Sequence, residues 1–197
     1  MTLIMPSPVM SMPVASAFWR RVDLPGHDTA RLEKIDGVGW CLTGMTVFRH
    51  PQGPASLTYV VDCDPSWEIV SAAVYGMIGA RNIEFHVNRY EGMWLLNEMP
   101  VSGLEHLCDF DLGFTPASYL MLLKRAAPRL HETRTLPVAR LDIESGQLIE
   151  APQIFTRTGT MEIWHESPQT GYAAQIDLAP DGFVMRCPGL CEAVIAI

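Results

Sequence analysis

The 197 residues carry 14 Lys and Arg against 22 Asp and Glu, a formal charge of −8. This balance excludes general binding to a phosphate backbone, which needs clustered cations. Apolar residues make up 48% and charged residues 18%, which predicts one large core, and no apolar run reaches the ~18 residues of a membrane helix.

The opening, MTLIMPSPVMSMPVASAF, ends in a small-x-small pattern at Ala15-Ser16-Ala17. It has no Lys or Arg in front, and Pro6, Pro8 and Pro13 interrupt it, so residues 1–17 are predicted as a disordered leader and 18–197 as one β-barrel domain. From residue 31 onward, short β-rich runs alternate with turn residues. VGWCLTGMTVFRH (38–50) ends at Pro51-Gln52-Gly53-Pro54, and SLTYVVDC (56–63) stops at Asp64-Pro65. WEIVSAAVYGMIG (67–79) and NIEFHVNRY (82–90) follow. In the latter Ile83, Phe85 and Val87 share one face, and Glu84, His86 and Asn88 the other.

CDFDLGFTPASYLMLL (108–123) sets Asp109 and Asp111 on a strand that runs into Gly113 and a Thr-Pro. Thr115 as a cap, Pro116 at the first helical position and Pro128 as a stop predict the one helix. LPVARLDI (136–143), QLIEAPQIFTRT (147–158), MEIWHES (161–167), YAAQIDL (172–178) and FVMRC (183–187) are further strands between Gly and Pro turns. Turn signals every 8–12 residues predict sequential antiparallel strands in a barrel or sandwich, not a doubly wound fold.

Residues two apart on a strand share a face, so Asp109 and Asp111 could meet one ligand. Three roles stay open for them: hydrogen bonding near Gly113 or pairing with an Arg, contact with a ligand headgroup, and acid–base chemistry. A metal wants a third ligand, which nothing adjacent supplies. Lys124, Arg125, Arg129, Arg134 and Arg140 face a single acid, Glu132, over the same segment; they form either a solvated surface or a seat for an anionic headgroup. Glu84 and His86 share a strand face, whereas His165 and Glu166 do not. GxSxG, HExxH, P-loop and dinucleotide-binding patterns are absent, so no catalytic residue, metal or cofactor is assigned. The five cysteines are odd in number and contain no CxxC; Cys187 and Cys191, four apart, lack the rest of a zinc set. Reduced, mostly buried thiols and a cytoplasmic protein follow.

LTYVVDCDPSWEIVSA, HLCDFDLGFTPASYL, LPVARLDIESGQL and TGYAAQIDLAPDGFVMRCPGL together resemble the bacterial family called "putative glycolipid-binding", over roughly residues 31–194. The resemblance implies a mainly β, many-stranded antiparallel barrel with one short helix, similar to lipoprotein-carrier folds. It also implies a cavity for a glycolipid or similar amphiphile. Two departures stand out: Ser118-Tyr119 where the family has Thr-Asn, and Cys187 and Cys191 where it has Tyr and Trp. The expected ligand-binding residues are Asp109, Asp111, Arg125 and Arg140 for the headgroup, with Tyr119 and Trp94 among the aromatic wall. No nucleic acid and no membrane span are expected. The alternative is a hydrolase or isomerase acting on a lipid or sugar, with Glu84, His86 and the Asp pair in one pocket. A homo-oligomer with a filled barrel is a third reading.

Overall fold

Alternation of apolar and polar residues writes most of this molecule. In the computed structural model, which describes residues 11–194, eight strands follow one another as antiparallel neighbours. They are β1 (Ser11–Arg21), β2 (Gly26–Ile35), β3 (Gly39–His50), β4 (Gly53–Cys63), β5 (Ile69–Ile78), β6 (Arg81–Tyr90), β7 (Met93–Leu96) and β8 (Met99–Val101). Along β4, Ala55, Leu57, Tyr59, Val61 and Cys63 are buried while the residues between them face outward. Each fully buried large apolar side chain contributes roughly 1.5–3 kcal/mol, and a slip of one residue would forfeit the whole set.

The chain then leaves this sheet. It forms β9 (Asp109–Asp111) and α1 (Ser118–Ala126), touches the large sheet again with β10 (Thr133–Leu136), which pairs with a later strand, and then forms β11 (Val138–Asp142) and β12 (Gln147–Glu150). It returns through β13 (Gln153–Gly159), β14 (Glu162–Ser167), β15 (Tyr172–Leu178), β16 (Val184–Cys187) and β17 (Cys191–Ala193). Strand β17 pairs with β1 through Trp19↔Ala193, Arg20↔Glu192 and Arg21↔Cys191, so the first and last described strands are neighbours in one 14-stranded sheet. That sheet is barrel-like but does not close, because β10 and β8 remain its edges.

A three-stranded sheet, ordered β12-β11-β9, lies with α1 on the buried face of the large one. Here β9 and β11 run parallel, Asp111 opposite Arg140. Contacts from this inner layer reach β4 (Tyr59 to Phe114 and Cys63 to Met121), β7 (Trp94 to Phe110) and β13 (Phe155 to Tyr119). Those strands are far apart in the sheet order, so the large sheet wraps around the helix and the small sheet.

Two expectations change. Residues 11–17 lie in β1, paired with β2 from Ser11↔Ile35 onward, rather than in a leader; residues 1–10 lie outside the described residues. The proline there is tolerated because β17 covers β1 only over Trp19–Arg21, and the pairing with β2 shifts register between Pro13 and Ala15. The helix starts at Ser118, two residues after Pro116. Thr115 Oγ1 accepts the Ala117 N–H at 3.1 Å, and the first turn is tightened by Tyr119 N–H to Pro116 O and Leu120 N–H to Ala117 O. The helix ends at Ala127 in a left-handed conformation, φ 38°, just before Pro128. Among the described residues no helix is long and apolar enough to cross a membrane.

Candidate functional site

The acidic stretch 109–111 is buried throughout. Asp111 accepts the Gly113 N–H at 2.9 Å and the Ser118 hydroxyl at 2.7 Å, and the Arg140 Nε stands 3.8 Å from its second oxygen. It therefore binds a corner: the strand end, the turn and the start of α1 are held by one carboxylate. Gly113 adopts φ +74°, and a Cβ there would meet the Arg140 side chain at 2.6 Å. The absent side chain lets Arg140 pass beneath the turn and donate to Gly113 O at 3.0 Å.

Asp109 points elsewhere. Its Oδ1 is 2.8 Å from Arg125 Nε, and Arg125 and Arg89 both flank Glu68 at 3.3 Å. Arg125 also donates to Cys108 Sγ at 2.7 Å. Burial raises the Asp109 carboxyl above its usual range, with the Arg125 charge opposing that rise. These ion pairs tie β9 to α1 and to the start of β5. Trp94 is fully enclosed, its indole N–H donated to Leu107 O at 3.2 Å.

A second polar centre lies under the Thr-Pro corner. Asp28 of β2 is 1% exposed and accepts the Tyr59 hydroxyl at 3.0 Å; that hydroxyl is also 3.2 Å from Thr115 Oγ1. The Asp28 Oδ2 has no hydrogen-bond partner. Burial, only partly opposed by Thr115, Tyr59 and Thr46, pushes the Asp28 carboxyl up to about 6. Gly44 makes room for this network: it is the cross-strand neighbour of Tyr59, and a Cβ would collide with the phenol and with Thr29 O. Burial, and then the Asp28 charge, raises the Tyr59 phenol well above its ordinary value.

Above these two centres the surface opens. A cleft of about 400 Å³ lies between the β3–β4 hairpin (Phe48, His50), the Gly113-Phe114 corner, the β11–β12 hairpin (Arg140, Ile143) and the turn after β14 (Gln169, Thr170). A narrower annex of about 60 Å³ continues from it, sharing Arg21, Gly113 and Phe114 and adding Thr115, Tyr119 and Cys191. Arg21 is held at the junction. It donates to Phe114 O at 2.9 Å, grips Asp23 at 3.1 and 2.7 Å, and lies 4.7 Å over the Phe48 ring. His50 accepts the Gln52 N–H on Nδ1 at 3.2 Å, which leaves Nε2 to donate to Glu144 at 2.7 Å. The lining is mixed: apolar Phe48, Ile143 and Ile149, the guanidinium groups of Arg21 and Arg140, and the carboxylates of Asp142 and Glu144.

The model of the family described as "Putative glycolipid-binding" matches residues 16–193. The chain belongs to this family. No curated protein matches the sequence. Among solved structures, a DUF1089 family protein from Pseudomonas aeruginosa is similar over 98% of this chain and 97% of its own, with a TM-score of 0.71 at 14% identity. A beta-barrel-like protein of DUF1849 from Brucella abortus is similar over 94% and 96%, with a TM-score of 0.52 at 10% identity. At such identities the likeness is one of fold, and it supports a barrel-like architecture.

Within this glycolipid-binding family member, the residues expected to touch ligand separate into two groups. Arg140 and Tyr119 reach the openings, Arg140 in the cleft and Tyr119 in the annex. Asp109, Asp111, Arg125 and Trp94 lie behind the wall, committed to protein partners. Glu84 and His86, 3.4 Å apart, line an outer groove with Asn88, Asn97 and Glu98; the sheet separates them from the buried Asp pair. Burial holds the His165 imidazole down to about 4; it contacts Gln153 at 2.7 Å and packs 4.8 Å from Tyr119. Arg21, Asp28 and Tyr59 are what sequence reading missed. The alternation of Asp28 with Ala30 and Leu32, all buried in β2, was the available sign for Asp28.

Proposed function

We propose that the cleft between Arg21, Phe48 and Arg140 binds an amphiphile with a hydroxylated or anionic headgroup, as the family's description suggests. The carrying observation is the mixed lining. Arg21 and Arg140 are anchored by donating to the Phe114 and Gly113 carbonyls, and Phe48, Ile143 and Ile149 line the same cleft. A volume of about 400 Å³ falls within the roughly 300–1,000 Å³ of small-molecule sites. It suits a headgroup and the first part of an acyl chain. Guanidinium groups with unused N–H donors match sugar hydroxyls, carboxylates or phosphates. Asp111 and Gly113 set the corner, Asp109 and Arg125 fix the helix behind it, and Trp94 fills the space beneath. Free thiols at all five cysteines support a cytoplasmic setting.

Native mass spectrometry of the purified chain, followed by solvent extraction, is the deciding experiment. A stoichiometric amphiphile, displaced by Ile149→Trp at the cleft wall, is the expected result. A protein that comes out empty, ignores a panel of glycolipids and phospholipids, and is indifferent to that substitution would remove the reading.

A further inference from the structure

The cysteines carry a feature that ligand binding leaves unused. Strands β16 and β17 form a hairpin through Pro188-Gly189-Leu190, closed by Leu190 N–H to Cys187 O at 2.9 Å. Gly189 at φ 75° after Pro188 is the pattern of a tight turn. This turn sets Cys187 and Cys191 directly opposite each other in register. Opposed residues of an antiparallel pair have Cα atoms roughly 4.5–5.5 Å apart, inside the ~4.4–6.8 Å that a disulfide spans. Both side chains turn to the same, inner face, at 0% and 2% exposure. The other three cysteines have different neighbours: Cys41 stands opposite Asp62, Cys63 opposite Trp40, and Cys108 accepts from Arg125.

We propose that Cys187 and Cys191 are a redox modification site that closes into a disulfide across the β16–β17 hairpin when hydrogen peroxide enters the annex beside it. Cys191 lines that annex together with Arg21, its cross-strand neighbour in β1, so it is the sulfur an entering solute meets. Cys187 lies one layer deeper, its sulfur 3.1 Å from the Tyr172 hydroxyl, which also donates to Pro188 O at 2.8 Å. The hydrogen bond from Cys191 pulls the Cys187 thiol below its ordinary range, against burial, and the same contact with burial pushes Cys191 up. Cys191 therefore holds its proton more tightly than Cys187 does, while Cys191 is the sulfur that the annex exposes.

The chemistry balances with peroxide as the oxidant. The Cys191 sulfur takes one oxygen from the peroxide; the O–O bond breaks, the second oxygen leaves as water, and a sulfenic acid remains. The Cys187 thiol then attacks that sulfur. The S–S bond forms as the S–O bond breaks, and hydroxide leaves to collect the remaining thiol proton as a second water. Two thiols and one peroxide give one disulfide and two waters. Closure draws Cys187 toward Cys191 and away from Tyr172, and so links the oxidation state to the wall of the annex.

The sequence makes the test direct. Trypsin cuts after Arg186, and the resulting peptide, Cys187–Ile197, holds both of these cysteines and none of the other three. The full-length protein is treated with hydrogen peroxide, unfolded with N-ethylmaleimide, digested and weighed. The expected product is an unalkylated Cys187–Ile197 peptide lighter by two hydrogens, restored by dithiothreitol to a form that takes two labels, with Cys41, Cys63 and Cys108 still alkylated. In Cys187→Ser, the proposal expects Cys191 to stop at a sulfenic acid that dimedone traps. A wild-type peptide that stays doubly alkylated, or that carries sulfinic acid without a cross-link, overturns the proposal.

Discussion

Two buried carboxylates, Asp109 and Asp28, are held in opposite ways. Asp109 faces the Arg125 guanidinium at 2.8 Å, with Glu68 and Arg89 extending the ion network. Asp28 meets only hydroxyls at contact distance, from Tyr59 and the threonines, and keeps one oxygen unpartnered. A guanidinium turns a buried carboxylate into a cross-link whose loss strands a charge. Hydroxyls alone turn it into a group that titrates near neutrality. The first arrangement sits behind the cleft and fixes α1; the second lies beneath its annex.

The largest effect expected from this contrast is at Arg125. Arg125→Met leaves Asp109 buried beside Glu68 without its partner, and breaking a buried pair from one side costs about 3–5 kcal/mol. Urea unfolding at pH 7 measures it, and a loss below about 1 kcal/mol would mean that water already reaches Asp109. The double variant Arg125→Met with Asp109→Leu is expected to recover most of the loss, since it strands no charge on β9.

Asp28 sharpens the comparison through pH. Its carboxyl rises from 3.8 to about 6 on folding, so the folded state holds the proton more tightly than the unfolded chain. That stability is complete below about pH 4 and is lost as pH rises through about 6, amounting to about 3 kcal/mol. His165 runs the other way. Its imidazole falls from 6.5 to about 4, so its contribution is present above 6.5 and is lost as pH falls toward 4, by a similar about 3 kcal/mol. The two nearly cancel in one window, with Asp109, also raised, adding to the Asp28 side. Asp28→Asn removes the opposing slope. The variant is expected to be more stable than the parent at pH 7, and to lose stability on acidification between pH 6.5 and 4 where the parent stays level. Parallel stability curves for the two proteins would show that Asp28 does not change its proton affinity on folding.

These contrasts also explain what could be read from the sequence. The runs at 38–50 and 82–90 became β3 and β6 to within a residue, and 56–63 became most of β4, which starts earlier at Gly53, inside the stretch read as a turn; alternation between Gly and Pro turns marks these strands. The helix was visible from Thr115 and Pro128. β2 was hidden, since one of its three buried positions is Asp28 and His27, Arg31, Glu33 and Lys34 surround the other two, Ala30 and Leu32. β1 was hidden by Pro13 and the prolines that precede it in sequence; Pro13 is tolerated where β17 leaves β1 uncovered. The cationic segment 124–140 read as one patch, but the fold divides it. Arg125 turns inward to Asp109, Arg134 pairs with Glu132 at 2.6 Å, and Arg140 reaches the cleft. Spacing along the chain says which charges are near in sequence; only β9 pairing parallel to β11 says which of them meet.

Asp111 stands between the two extremes and gives the smallest effect. It has a guanidinium at 3.8 Å, too long for a direct hydrogen bond, and two neutral donors at 2.9 and 2.7 Å. Asp111→Asn keeps an acceptor for the Gly113 N–H and the Ser118 hydroxyl but removes the charge that strengthens both. A loss of about 1 kcal/mol is expected from thermal or urea unfolding. Affinity for any bound amphiphile should move only as far as the Gly113 corner shifts Arg140. If melting is unchanged while headgroup selectivity changes, the carboxylate touches ligand after all. If stability falls and selectivity holds, the aspartate pair serves the corner, and recognition belongs to the arginines that the corner carries.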